Sequence, residues 1–151
     1  MRNALFVCTG NSARSIMAEA YLNHAADGRW RAFSAGSKPT GAPNPFALET
    51  LRAHAIDAAA HGPARSKSWD EFAAADAPAM DLVVTVCDNA AGEVCPVWPT
   101  RGGAAPETRH WSFPDPAAVA GDAATKRAAF EAVFTDIRAT IDAFLAEDAR
   151  A

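Results

Sequence analysis

The 151-residue chain has no apolar run long enough to cross a membrane, and it lacks the basic–apolar–small succession of a secretory leader. A soluble, cytoplasmic protein with no membrane partner is the expectation. Runs of Lys or Arg are missing too. Fourteen basic residues against 18 acidic ones leave a net charge of −4, so no basic face for nucleic acid is expected. Cysteine is scarce and odd in number, at three, which argues against a disulfide framework and for thiol chemistry. There is no internal repeat, and alanine-rich stretches such as 58–60 and 73–75 are compositional. Apolar residues, by contrast, make up 50% of the chain. That is enough for one domain, residues 1–151, with a core that needs no staples.

The informative stretch is Cys8-Thr9-Gly10-Asn11-Ser12-Ala13-Arg14-Ser15. It follows the apolar run Ala4–Val7, read as a buried strand, and precedes Ile16–Leu22, read as a helix. Backbone N–H groups at a helix start favour negative charge. A loop of small polar residues lets those groups converge on a tetrahedral oxyanion. Arg14 adds a planar fork that can grip two oxygens at once. The same field is expected to lower the pKa of Cys8 and populate its thiolate, the nucleophilic form. The Ser15 hydroxyl is a further donor to the sulfur. Five residues between Cys8 and Arg14 let one loop place both on one anion.

The periodicity predicts strands at 3–8, 30–36, 81–87 and 108–113, with helices at 15–26, after Asn44 and at 122–147. Asn44 reads as an N-cap with Pro45 at the first helical position, and Phe46, Leu48 and Leu51 as that helix's buried face. Ser68-Trp69-Asp70-Glu71 has capping-box spacing and predicts a short helix to about Ala75. In the last helix Phe130, Val133, Phe134, Ile137, Ile141, Phe144 and Leu145 recur at helical spacing. Between them lies an irregular stretch from about Asp88 to Pro106. Alternating strands and helices imply an α/β three-layer sandwich, with a four-stranded parallel sheet flanked by helices. Ligands of such sheets bind outside the carboxyl ends of the strands. The first and third strands end there at Cys8 and Cys87.

The octet resembles the active-site loop of the low-molecular-weight protein tyrosine phosphatases and of the arsenate reductases built on the same fold. The resemblance covers essentially the whole chain. It extends to Asp115-Pro116, the position of the general acid in both groups, and to Cys87 and Cys95, which with Cys8 match the three-cysteine pattern of the reductases. It implies that Thr9, Gly10, Asn11, Ser12, Ala13 and Arg14 bind arsenate or phosphate. It also implies that Cys8 attacks arsenate, that Asp115 protonates the leaving oxygen, that Cys87 attacks the adduct and that Cys95 resolves the disulfide. No bound cofactor or metal is implied, only an external thiol reductant: thioredoxin, or glutathione with glutaredoxin.

The alternative is a phosphatase that hydrolyses phosphomonoesters through a Cys8 phosphoenzyme. Thr9 and Ser12, Ala117 where phosphatases place an aromatic, and the two further cysteines all favour reduction. Two departures stand out. Ala13 replaces a common cysteine, and the Cys87–Cys95 gap is one residue longer than in thioredoxin-coupled enzymes. The second leaves open whether Cys95 or glutathione does the resolving. Three of these residues each have a blander, less favoured reading from the residues alone: Cys87 as a packed apolar side chain, Cys95 as a surface thiol and Asp115 as a turn-former. His24, His54 and His61 read as surface or packing residues. Trp98 and Trp111 are candidates for the mouth of the site, with core packing as the safer reading.

Overall fold

The computed structural model describes residues 1–86 and 105–150. In chain order it contains β1 (Arg2–Cys8), α1 (Arg14–Ala25), β2 (Trp30–Gly36), α2 (Pro45–Ala53), β3 (Leu82–Thr85), β4 (Glu107–His110) and α3 (Ala123–Arg150), with single-turn helices at Trp69–Phe72 and Pro116–Ala118. The four strands form one parallel sheet in the order β2-β1-β3-β4, as the alternation of strand and helix patterns implies. No helix among the described residues is long and apolar enough to cross a membrane.

β1 is central, and Ala4, Leu5, Phe6 and Val7 are wholly buried, which explains an apolar run without alternation. All seven apolar residues expected on the last helix are buried. Each contributes on the order of 1.5–3 kcal/mol by leaving water. α3 is joined to α1 where Tyr21 stacks edge-on against Phe134 and donates to Asp142 Oδ1 at 2.6 Å. It is joined to α2 where Phe46 meets Phe130. On the outer side of β2, the Asn23 side chain accepts from Ala32 N at 2.8 Å and donates to Ala32 O at 3.2 Å, occupying edge groups that would otherwise invite another strand.

Several boundaries differ from expectation. β4 spans 107–110 rather than 108–113 because its ladder lasts only as long as its partner, and β3 pairs with it over Leu82–Thr85 alone. α2 buries Ala47, Thr50 and Leu51, so Leu48 is not on the core face. Asn44 does cap that helix, accepting from Phe46 N at 2.9 Å. The helix expected from 69 to 75 is one tight turn. Ser68 Oγ accepts from Asp70 N rather than from Glu71 N, and Glu71 is drawn instead to Arg65 at 3.0 Å, so no reciprocal box forms. Trp111 packs between Phe6 and Phe144, at 6.0 and 5.9 Å between rings, and is half-buried against the core. His54 is a packing residue, 4.7 Å from the Phe134 ring and 2.7 Å from Glu131. Trp98, most of the irregular stretch, Cys87 and Cys95 lie outside the described residues.

Candidate active site

Cys8 is the last residue of β1, buried at 3% exposure, at the carboxyl edge of the sheet. Arg14 opens α1 six positions later. The intervening loop is held from outside by its own carbonyls. Thr9 O accepts from Lys38 N at 2.9 Å, Gly10 O from Thr40 N at 3.0 Å and from Ser66 Oγ at 3.1 Å, and Ser12 O from Asn44 N at 2.8 Å. A trans peptide points its N–H opposite to its C=O. Turning those three carbonyls outward therefore turns the N–H groups of Gly10, Asn11 and Ala13 inward, toward the hollow of the loop. Asn11 makes the turn by adopting a left-handed conformation, φ 45°, one that Asn tolerates better than most residues. Ala13 supplies no capping side chain, so the first-turn amides of α1 remain available to an anion.

Arg14 is fixed from a distant segment. Its Nη1 donates to Phe113 O at 3.0 Å, and its Nη2 lies 3.8 Å from Asp115 Oδ2. Its Nε is buried and has no hydrogen-bond partner among the described residues. A buried guanidinium N–H without a partner costs stability, and an oxyanion in the loop would satisfy it. Asp115 caps the turn Pro116–Ala118, its Oδ1 accepting from Ala117 N at 3.0 Å. That contact makes it a turn-former, as its Asp-Pro sequence suggests, while its Oδ2 faces Arg14. Its side chain is 43% exposed, so water and protons can reach it. Ser15 is fully buried and accepts from Asn11 Nδ2 at 2.8 Å, which leaves its hydroxyl proton to donate elsewhere.

Of the residues singled out from the sequence, Cys8, Thr9, Gly10, Asn11, Ser12, Ala13, Arg14, Ser15 and Asp115 fall together here, while Cys87 and Cys95 are outside the described residues. Sequence reasoning missed the frame that holds the loop: Gly36, Lys38, Thr40, Ser66 and Lys67. Only Gly36 carried a signal. It ends the second strand in parallel register with Cys8, where a side chain would strike the loop.

The fold and the loop define a class, parallel α/β proteins that carry a cysteine and an arginine on one loop at the carboxyl edge of the sheet. Within that class the chain belongs to the low molecular weight phosphotyrosine protein phosphatase family, whose model matches residues 3–150. It is 37% identical over 139 residues to an arsenate reductase of Halalkalibacterium halodurans, covering 92% of this chain and 91% of that protein. An arsenate reductase structure from Archaeoglobus fulgidus is similar at TM-score 0.62 and 28% identity, covering 92% of this chain and 98% of that one. A thioredoxin-dependent arsenate reductase of Corynebacterium glutamicum shares the fold at TM-score 0.65 and 22% identity, covering 97% of this chain and 60% of that one.

Proposed function

We propose that this protein is an arsenate reductase that uses Cys8 as its nucleophile. One observation carries the reading. The loop of a reductase-like chain turns its amides inward beside a buried Arg14 Nε that lacks a partner among the described residues, a setting that suits a tetrahedral oxyanion. The curated relative above, 37% identical over nine-tenths of the chain, supports arsenate as that oxyanion and reduction as its fate.

The chemistry follows from the parts. The Cys8 thiolate attacks arsenic(V), and an As–O bond breaks as Asp115 gives its proton to the departing oxygen, which leaves as water or hydroxide. Arg14 and the loop amides stabilise the charge on the remaining oxygens. The Cys87 thiolate then attacks the Cys8 sulfur. The S–As bond breaks, its electron pair stays on arsenic, and arsenite leaves as arsenic(III) while a Cys8–Cys87 disulfide forms. Cys95 attacks Cys87, returning Cys8 to the thiolate and leaving a Cys87–Cys95 disulfide. Thioredoxin, an external dithiol, reduces that disulfide and completes the balance; where glutathione with glutaredoxin is the donor, glutathione takes the place of Cys95 and attacks the Cys8–Cys87 disulfide itself. The shared fold of a thioredoxin-dependent enzyme favours thioredoxin as the first donor to try.

The test is arsenite formation from arsenate by the purified protein, with thioredoxin plus its reductase, and separately with glutathione plus glutaredoxin. Hydrolysis of para-nitrophenyl phosphate is measured alongside. Arsenite with thioredoxin supports the full relay. Arsenite only with glutaredoxin keeps the reductase and removes Cys95 as the resolving thiol. Phosphate release without arsenite under either condition overturns the proposal in favour of a phosphatase.

A further inference from the structure

Lys67 is buried, at 8% exposure, although it lies in a segment that reads as a loop. Its ammonium donates to Ser34 Oγ at 3.3 Å and to Arg65 O at 3.1 Å, and it stands 3.8 Å from Glu19 Oε1. Its main chain meets the active-site frame on both sides. Lys67 N donates to Asn11 Oδ1 at 2.8 Å, and Lys67 O accepts from Gly36 N at 2.9 Å. Asn11 is wholly buried, sits in the left-handed conformation and donates through Nδ2 to Ser15 Oγ. A continuous path of contacts thus runs from a buried charge pair to the hydroxyl expected to serve Cys8.

We infer that Lys67 is a positioning residue for the Cys8 loop: its ammonium, held by Glu19, Ser34 and the Arg65 carbonyl, pins the 65–68 segment so that its main-chain N–H fixes Asn11, and Asn11 fixes the Ser15 hydroxyl.

The chemistry of the pair fits this role. Burial pushes the Glu19 carboxyl up and the Lys67 ammonium down from their ordinary values, and each is opposed by the charge of the other. Either partner alone would be an uncompensated buried charge, so the two hold each other in place. The charged groups acting on the ammonium are Glu19 from α1 and Arg65 and Glu71 from the 65–72 segment, while Arg31 from β2 acts on Glu19. On the loop side the charged groups are Arg14 and Asp115. Neither Lys67 nor Glu19 is needed to touch the substrate. Fixing Asn11 leaves Ser15 with one lone pair engaged and its proton available to the thiolate, and a hydrogen bond donated to a charged form lowers its pKa.

The inference rests on Cys8 being the nucleophile, but its test needs no turnover, so a failure to reduce arsenate would leave it standing. The full chain, reduced, is alkylated with iodoacetamide across a pH series, and the rate is read by mass spectrometry on the peptide containing Cys8. Circular dichroism checks that each variant is folded. Lys67→Met is expected to raise the Cys8 pKa by about one pH unit, a roughly tenfold slower alkylation below that pKa, with Lys67→Arg recovering part of the loss. Glu19→Gln separates positioning from simple electrostatics. Removing a negative charge would by itself lower the Cys8 pKa, whereas loosening Lys67 raises it, and a roughly threefold slower alkylation is expected. An unchanged or lowered Cys8 pKa in folded Glu19→Gln overturns the inference, as does an unchanged pKa in folded Lys67→Met. If Lys67→Met does not fold, Glu19→Gln and Ser34→Ala decide the matter by the same sign.

Discussion

Replacing Gly36 by alanine tests whether the placement of the loop, and not merely its sequence, makes the site. Gly36 pairs with Cys8 at the carboxyl end of β2, and a Cβ built there would lie 2.5 Å from Thr9 O, 2.9 Å from Cys8 O and 3.0 Å from Asn11 Cβ. Ordinary contact begins near 3.4 Å, so the Thr9 carbonyl would have to retreat by about 0.9 Å. Two of the three obstacles are backbone atoms, which cannot swing aside as a side chain would. Such overpacking costs about 1–3 kcal/mol, and each kcal/mol lowers Tm by roughly 2–4 °C in a chain of this size. The functional cost is expected to exceed the stability cost, because a misplacement of about 1 Å at a reacting centre can cost on the order of 10²-fold in rate. Gly28→Ala is the control. Gly28 sits in the turn before β2, with φ +78° and nothing within 4 Å of its absent Cβ. Its substitution strains the backbone by about 1 kcal/mol but leaves the loop alone. The assay is kcat/KM for arsenate together with the melting temperature of both variants. If Gly36→Ala loses no more activity than Gly28→Ala at comparable stability, the close approach of β2 does not set the loop geometry.

Cys8→Ser is expected to abolish arsenite formation and para-nitrophenyl phosphate hydrolysis alike, and residual turnover of either above background would remove Cys8 as the nucleophile. Cys87→Ser should abolish arsenate reduction yet spare phosphoester hydrolysis, so loss of both activities in a folded variant would refute separate roles. Asp115→Asn should slow turnover by roughly 10²–10⁴-fold, read as kcat against pH, and an unaltered profile would exclude Asp115 as the proton donor. Tyr21 is the chain's only tyrosine, and burial followed by its bond to Asp142 raises its pKa from 10.0 to about 12. Phenolate absorbance should therefore rise near pH 12 in the folded protein. A phenol whose folded pKa is raised lends stability that is complete below pH 10 and is lost as the pH climbs through 12. Tyr21→Phe should lack that tyrosine-linked decline, and a folded-state midpoint near pH 10 would contradict the contact.

Local chemistry was legible in the sequence. Strand, loop and helix around Cys8 and Arg14 follow from residues close along the chain: an apolar run, small polar residues, then helical spacing. The Asn44-Pro45 start of α2 and the seven buried residues of α3 are local in the same sense, because caps and helical faces repeat over three to five positions. The capping-box reading at Ser68 failed where one local pattern met another, Arg65, six positions before Glu71, engaging its carboxylate. The arrangement of the loop for the proposed oxyanion was decided by tertiary contacts. Its carbonyls are turned outward by Lys38, Thr40, Asn44 and Ser66. Its arginine is aimed by a carbonyl 99 positions away, beside a carboxylate from the same distant segment. Its asparagine is fixed by the main chain of a buried lysine 56 positions away. Such pairings have no period, and all but the Arg14–Asp115 contact involve backbone groups rather than particular residue types. No pattern of residue types announces them, and only folding brings them within hydrogen-bonding reach.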